Sequence, residues 1–200
     1  MFYEFNGIKP IVHPSAWVHP MACVTGQVII GPNCYIGPGA ALRGDWGAIE
    51  IQAGCNVQEN CTIHMFPGVT VRLKKGAHIG HGAIIHGAEI GFNCLVGMNA
   101  VIMDEVVLGD ECIVGALSFI KAGTIIPSRS LVAGNPYRIL NTVSDEMLAW
   151  KTKGTALYQQ LPEDLRKTWK PCEPLQEKTV QNQPEQKDLK TWIQTKKNEI

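Results

Sequence analysis

The sequence predicts an all-β chain: a parallel β-solenoid of hexapeptide turns, followed by a C-terminal α-helical extension. Three observations predict it. An apolar residue returns every sixth position over about two-thirds of the 200 residues, as in Val18, Val24, Ile30, Ile36, Leu42 and again in Ile90, Val96, Ile102, Leu108, Val114, Ile120, Ile126, Val132. Many of these are followed by glycine, such as Gly31, Gly37, Gly91 and Gly97. Small residues stand two positions before them, where a strand would point them to the same side. A period of six fits neither a lone helix nor a hairpin, and it defines stacked coils.

Residues 1–17 lack the period and read as an N-terminal cap, which the first coil of a solenoid requires. The repeat occupies 18–136 and closes on the turn-forming Gly134-Asn135-Pro136. Residues 137–170 read as the helical extension. Ser144 is its N-cap, Asp145 and Glu146 lie in the first turn, and Met147, Leu148, Trp150, Leu157 and Leu161 form its apolar face. Pro162 should interrupt it, with a second short helix over 163–170. Residues 171–200 read as a polar tail, partly disordered, with a short helix around 189–195.

The register breaks at three places: an insertion of three at Asp45, Trp46 and Gly47, one of four at Met65 to Gly68, and a deletion between Ile85 and Ile90. Such breaks are expected as protruding loops on a binding face.

Net charge is zero with 18 basic and 18 acidic residues, so no basic stripe invites nucleic acid. No apolar run is long enough for a bilayer, and a cytoplasmic location is the default expectation. Cys34, Cys55, Cys61, Cys94 and Cys112 occupy inward small-residue positions, and no C-x-x-C spacing occurs. They read as core fillers rather than disulfides or thiolate ligands.

With three hexapeptides to a coil, equivalent residues stack 18 positions apart. His64 and His86 are separated by 22, one coil plus the four-residue insertion, so they share a column, with Arg43 one coil earlier. His81 lies on a different face, as does Gln58 one coil before it. Three imidazoles can then meet only if a neighbouring subunit donates one, as a cyclic homotrimer with heterologous contacts allows. His64, His81 and His86 with an open fourth position would make a catalytic zinc site, with iron or cobalt as alternatives. Gln58 could face the open position.

Arg43-Gly44-Asp45, Asn56-Val57-Gln58-Glu59-Asn60, His64, Gly80-His81 and His86-Gly87, in this order, resemble the γ-class carbonic anhydrase-like family of left-handed β-helix trimers. Leu148-Ala149-Trp150-Lys151 and Gly154 resemble the helical extension of that family's phenylacetate-degradation branch, to which a carnitine-operon branch is related. Only the tail beyond about residue 176 lies outside the resemblance. It implies that His64, His81 and His86 bind the metal, with His81 from an adjacent subunit. It also implies an Arg43–Asp45 ion pair across the subunit contact, Gln58 bonded to metal-bound water or substrate, and Asn56 orienting the site. Without chemistry, Arg43 and Asp45 read equally well as a trimer salt bridge.

The family's proton-transfer carboxylates are missing: Trp46 follows the aspartate, and Met65 to Thr70 contains none. Fast CO2 hydration depends on such a shuttle, whereas apolar Trp46, Met65 and Phe66 suit an acyl or aryl substrate. The leading expectation is therefore a metal-dependent acyl-CoA thioesterase linked to phenylacetate degradation, in which zinc-bound hydroxide attacks the thioester carbonyl. Glu59 is a further candidate for proton relay. The alternatives are a γ-type carbonic anhydrase, a metal-free hexapeptide acyltransferase with a histidine base, and a non-catalytic trimeric partner of CoA-pathway enzymes.

Overall fold

The apolar columns stack as their spacing requires. In the computed structural model, which describes residues 1–177 and 189–197, short parallel strands coil about one axis as a left-handed β-helix with three faces. On the first face Leu42, Ile63, Ile85, Ile102 and Ile120 are successive register partners. On the second, Ile51, Leu73, Ile90, Leu108 and Ile126 follow one another. The third carries Val18, Ile36, Val57, Ile79, Val96, Val114 and Val132. Apart from the part-exposed Val18, all of these are buried, and the five core cysteines lie with them as free thiols.

The cap is already part of the coil, since Ile11–Val12 pairs with Ile29 and Ile30. The three-residue insertion is not a protruding loop. It is absorbed into an eleven-residue strand, Ala41–Ile51, that turns from the first face onto the second and joins them as one hydrogen-bonded sheet. Gly26 makes this bend possible: its φ is +72°, and a Cβ there would stand 2.4 Å from the Gly44 carbonyl oxygen. The four-residue insertion lies between strands Thr62–His64 and Thr70–Leu73.

After the turn at 134–137, residues Arg138–Thr142 form an antiparallel strand on Ser130–Ala133 rather than helix. Helix α1 then runs Asp145–Thr168, with the Ser144 side chain accepting from the Met147 amide. It continues through Pro162 instead of breaking. A helical proline forfeits one backbone bond, and here its ring is buried. The residues α1 buries fully are Lys151, Thr155 and Pro162, while Met147, Leu148, Trp150, Leu157 and Leu161 are half-buried. Solenoid corners present carbonyls that need donors, and α1 supplies them along its length. Lys151 Nζ donates to Gly76 O (3.0 Å), Gln159 to Gly54 O (3.0 Å), and Arg166 to Ser15 O (3.1 Å). The helix thus runs back from the last coils to the first.

A short helix α2, Trp192–Lys197, rests near α1, where Trp150 Nε1 donates to Lys190 O at 2.9 Å. The rest of the expected disordered tail, 178–188 and 198–200, lies outside the described residues.

Candidate active site

On the first face His64 and His86 are register partners on adjacent strands. Each uses one ring nitrogen on a carboxylate. His64 Nε2 lies 3.1 Å from Asp45 Oδ1, and His86 Nδ1 lies 2.6 Å from Asp104 Oδ1. The remaining nitrogens, His64 Nδ1 and His86 Nε2, face each other at 3.3 Å. A neutral imidazole has one N–H, and a carboxylate can only accept it. With each neutral ring giving its N–H to its carboxylate, the two facing nitrogens offer lone pairs that one cation can bridge. Two nitrogens on a tetrahedral zinc, each at about 2.0–2.1 Å, are roughly 3.3–3.4 Å apart. The donor pair fits a divalent cation.

Burial raises the Asp45 carboxyl, but bonds from Arg43 and His64 outweigh it and hold it below its ordinary value. Arg43 Nη2 meets Asp45 Oδ2 at 2.9 Å within one chain. Trp46 and Phe66 are exposed beside the histidines, with ring centroids 5.2 Å from His64 and from His86 respectively. Met65 is not part of this surface; it is fully buried and fills the core beneath the insertion.

His81 follows strand His78–Ile79 on the third face, and its Nδ1 is bonded to Glu59 Oε2. Tyr35 donates to the other Glu59 oxygen at 2.8 Å. Burial raises the Glu59 carboxyl, yet its own backbone amide, Tyr35 and His81 bring it below its ordinary value. The Tyr35 phenol is pushed up by burial and by Glu59. Among the described residues, no three His, Cys, Asp or Glu side chains of one chain come together as a metal site. The chain brings His64 and His86 together and leaves His81 apart.

Gln58 and Asn56 are both buried on the third face. Gln58 Nε2 donates to Asn56 Oδ1 at 2.9 Å and to His78 Nε2 at 2.6 Å. His78 Nδ1 in turn lies 3.3 Å from Thr155 Oγ1 on α1. Burial, then the Lys151 and His81 charges, lower the His78 pKa to about 3, so the ring is neutral and can accept from Gln58. With both amide hydrogens committed, Gln58 is left with Oε1 as its acceptor. Asn56 Nδ2 is buried without a partner among the described residues.

Sequence reasoning missed Asp104, which stands 18 residues, one coil, after His86 and was readable by the same arithmetic. It gave no sign of His78 either, whose role depends on a helix residue 77 positions away. Gln58, His78 and His81 open into a groove of about 650 Å³ between the third face, α1 and the chain around α2.

The bacterial transferase hexapeptide family (six repeats) matches residues 9–44 and 87–122. The carnitine operon protein CaiE of Escherichia coli O157:H7 is 45% identical over 160 residues, 80% of this chain and 82% of that protein. The Shigella flexneri protein of the same name is 46% identical over the same shares. Among solved structures, a hexapeptide transferase family protein from Anaplasma phagocytophilum superposes with a TM-score of 0.78 at 31% identity, covering 82% of this chain and 96% of that one. A Bacillus cereus structure provisionally described as an acetyltransferase gives 0.81 at 26% identity, covering 83% and 96%. Among the described residues no helix is long and apolar enough to cross a membrane.

Proposed function

This chain belongs to the hexapeptide-repeat family, in its γ-class carbonic anhydrase-like group, and from that membership we propose that it is a metal-dependent acyl-CoA thioester hydrolase. The observation that carries the reading is the pair of facing ring nitrogens on His64 and His86, 3.3 Å apart, with each ring backed by a carboxylate.

His64 and His86 of one copy and His81 of a second copy in a homotrimer would hold the ion. A divalent cation bound there supplies Lewis acidity and an activated water at neutral pH. The remaining work belongs to the chain's own groups. Asp45, Asp104 and Glu59 hold the N–H protons of the three imidazoles, which fixes the rings with their free nitrogens outward. Arg43 keeps Asp45 charged. Gln58 Oε1 accepts a hydrogen bond from the attacking water, and Asn56 and His78 hold its amide in that orientation. Trp46 and Phe66 cover the histidine pair with an apolar surface and thin the water around it. Asp45, Asp104 and Glu59 are already engaged and the 65–70 loop holds no carboxylate, which supports ester hydrolysis over CO2 hydration with its proton export in every turnover.

The test is hydrolysis of a panel of CoA thioesters before and after chelation. Phenylacetyl-CoA belongs in it because of the resemblance to the phenylacetate branch; plain acyl-CoAs belong because the relatives carry a carnitine-operon name. Chelator-sensitive cleavage, restored by zinc, iron or cobalt, is the expected result. Metal-free protein cleaving thioesters at full rate would overturn it.

One observation favours a second reading. His81 Nδ1 on Glu59 makes a histidine–carboxylate pair suited to a general base, and two similar structures are described as transferases. An acyltransferase of this kind would keep its activity after chelation and would need an acceptor nucleophile.

A further inference from the structure

The groove beside Gln58 and His81 is polar at one end and apolar along the rest. Its floor is the outward column of the third face, where His78, Leu95, Ile113 and Leu131 are successive register partners. At about 4.8 Å per strand, this floor runs about 14 Å from His78 to Leu131. Past Gln58 and His78 the column presents only aliphatic side chains. The outer wall is α1 with Trp150 and Leu157, and Trp192 of α2. Among the described residues no carboxylate lines it. Its one lysine, Lys151, is committed to Gly76 O and to Asn93 Oδ1 at 2.6 Å.

Gly154 makes this volume more than a packing remnant. It sits inside α1, where glycine costs the helix up to about 1 kcal/mol relative to alanine. Packing does not require it: a Cβ there would meet only Leu189 Cδ2, at an ordinary 3.8 Å. The helix forgoes a side chain at a position that lines the groove.

We propose that this groove is the acyl-group site of the enzyme and sets its specificity. It takes an uncharged medium-chain or aryl acyl group, with the carbonyl at the Gln58–His81 end and the chain running along Leu95, Ile113 and Leu131. This rests on the thioester reading above. Burying successive methylenes along the floor makes longer apolar acyl groups bind more tightly. A cationic acyl group is disfavoured because the described lining offers it no carboxylate and already contains Lys151. A terminal carboxylate would lie against aliphatic side chains.

The experiment compares S-octyl-CoA and S-methyl-CoA, thioethers that cannot be hydrolysed, by calorimetry on the full-length metal-loaded protein and on Gly154→Leu. Octanoyl-CoA and acetyl-CoA turnover is measured in parallel. Gly154→Ala serves as the folding control, and it should melt no lower than wild type. The expected result is S-octyl-CoA binding at least about tenfold more tightly than S-methyl-CoA in wild type, with most of that preference lost in Gly154→Leu. Equal affinities in wild type, or an octyl preference untouched in folded Gly154→Leu, would overturn the proposal. The octyl preference without turnover of any thioester keeps the groove assignment and sinks the hydrolase reading. Turnover without chain-length preference does the reverse.

Discussion

His64 Nδ1 and His86 Nε2 face each other across 3.3 Å while their opposite nitrogens are held by Asp45 and Asp104. With their N–H groups on the carboxylates, the two rings turn lone pairs towards one another at a spacing that a single cation can bridge. A carboxylate behind a ligating imidazole fixes its tautomer and strengthens its donor nitrogen, and losing one typically costs 10–100-fold in metal affinity.

Asp104→Asn should therefore lower zinc affinity by about 10–100-fold. The amide can offer its oxygen to His86 Nδ1 but carries no charge to support the ring. Competition against a chelator of known affinity measures this directly. An unchanged affinity would mean that His86 does not bind the ion.

His78 gives a pH signature. Its folded pKa of about 3 lies below the ordinary 6.5, so as pH falls the unfolded chain takes the proton first. The stability contributed by neutral His78 is fully present above about pH 6.5 and is lost as pH falls towards 3. Fully developed, the loss is on the order of 5 kcal/mol. His78→Gln does not titrate. Between pH 7 and 4.5, urea unfolding of the wild type should lose more stability than that of His78→Gln, and parallel losses would contradict this.

Gly26 couples the fold to the site. Gly26→Ala sets a Cβ against the Gly44 carbonyl at a φ of +72°, which costs about 2 kcal/mol or more. The displaced backbone leads directly into Asp45. Urea unfolding should show the lost stability, and zinc affinity should fall as well. Lost stability with unchanged affinity would mean that the strand bend does not position Asp45.

The solenoid columns were legible because period six is a covalent property: no tertiary contact is needed to place Ile63 beneath Ile85. The same arithmetic put His64 beside His86, and it would have found Asp104. Features set by contacts between distant segments were not legible. The Asp45–Gly47 insertion reads as a loop, yet the residues on either side of it are paired to neighbouring coils, Gly44 to Gly26 and Ala48 to Thr70, and carry it along as strand. Met65 reads as surface but fills the core under that strand. Pro162 reads as a break, yet α1 continues because it is tied to the solenoid before and after it, through Gln159 and Arg166. His78 has no meaning in the sequence until Thr155 arrives from α1.

A metal site divided between copies of the chain can be rebuilt by mixing two variants that each lack one half of it. His81→Ala and His86→Ala are each purified, shown to lack bound zinc and thioester turnover, then unfolded together and co-refolded. Random reassembly of a trimer places an intact His81 opposite an intact His64–His86 pair at about a quarter of the contacts. Zinc content and chelator-sensitive turnover should therefore return to about a quarter of wild type, while each variant refolded alone stays inactive. Mixed oligomers that form but recover neither zinc nor turnover would contradict the shared site.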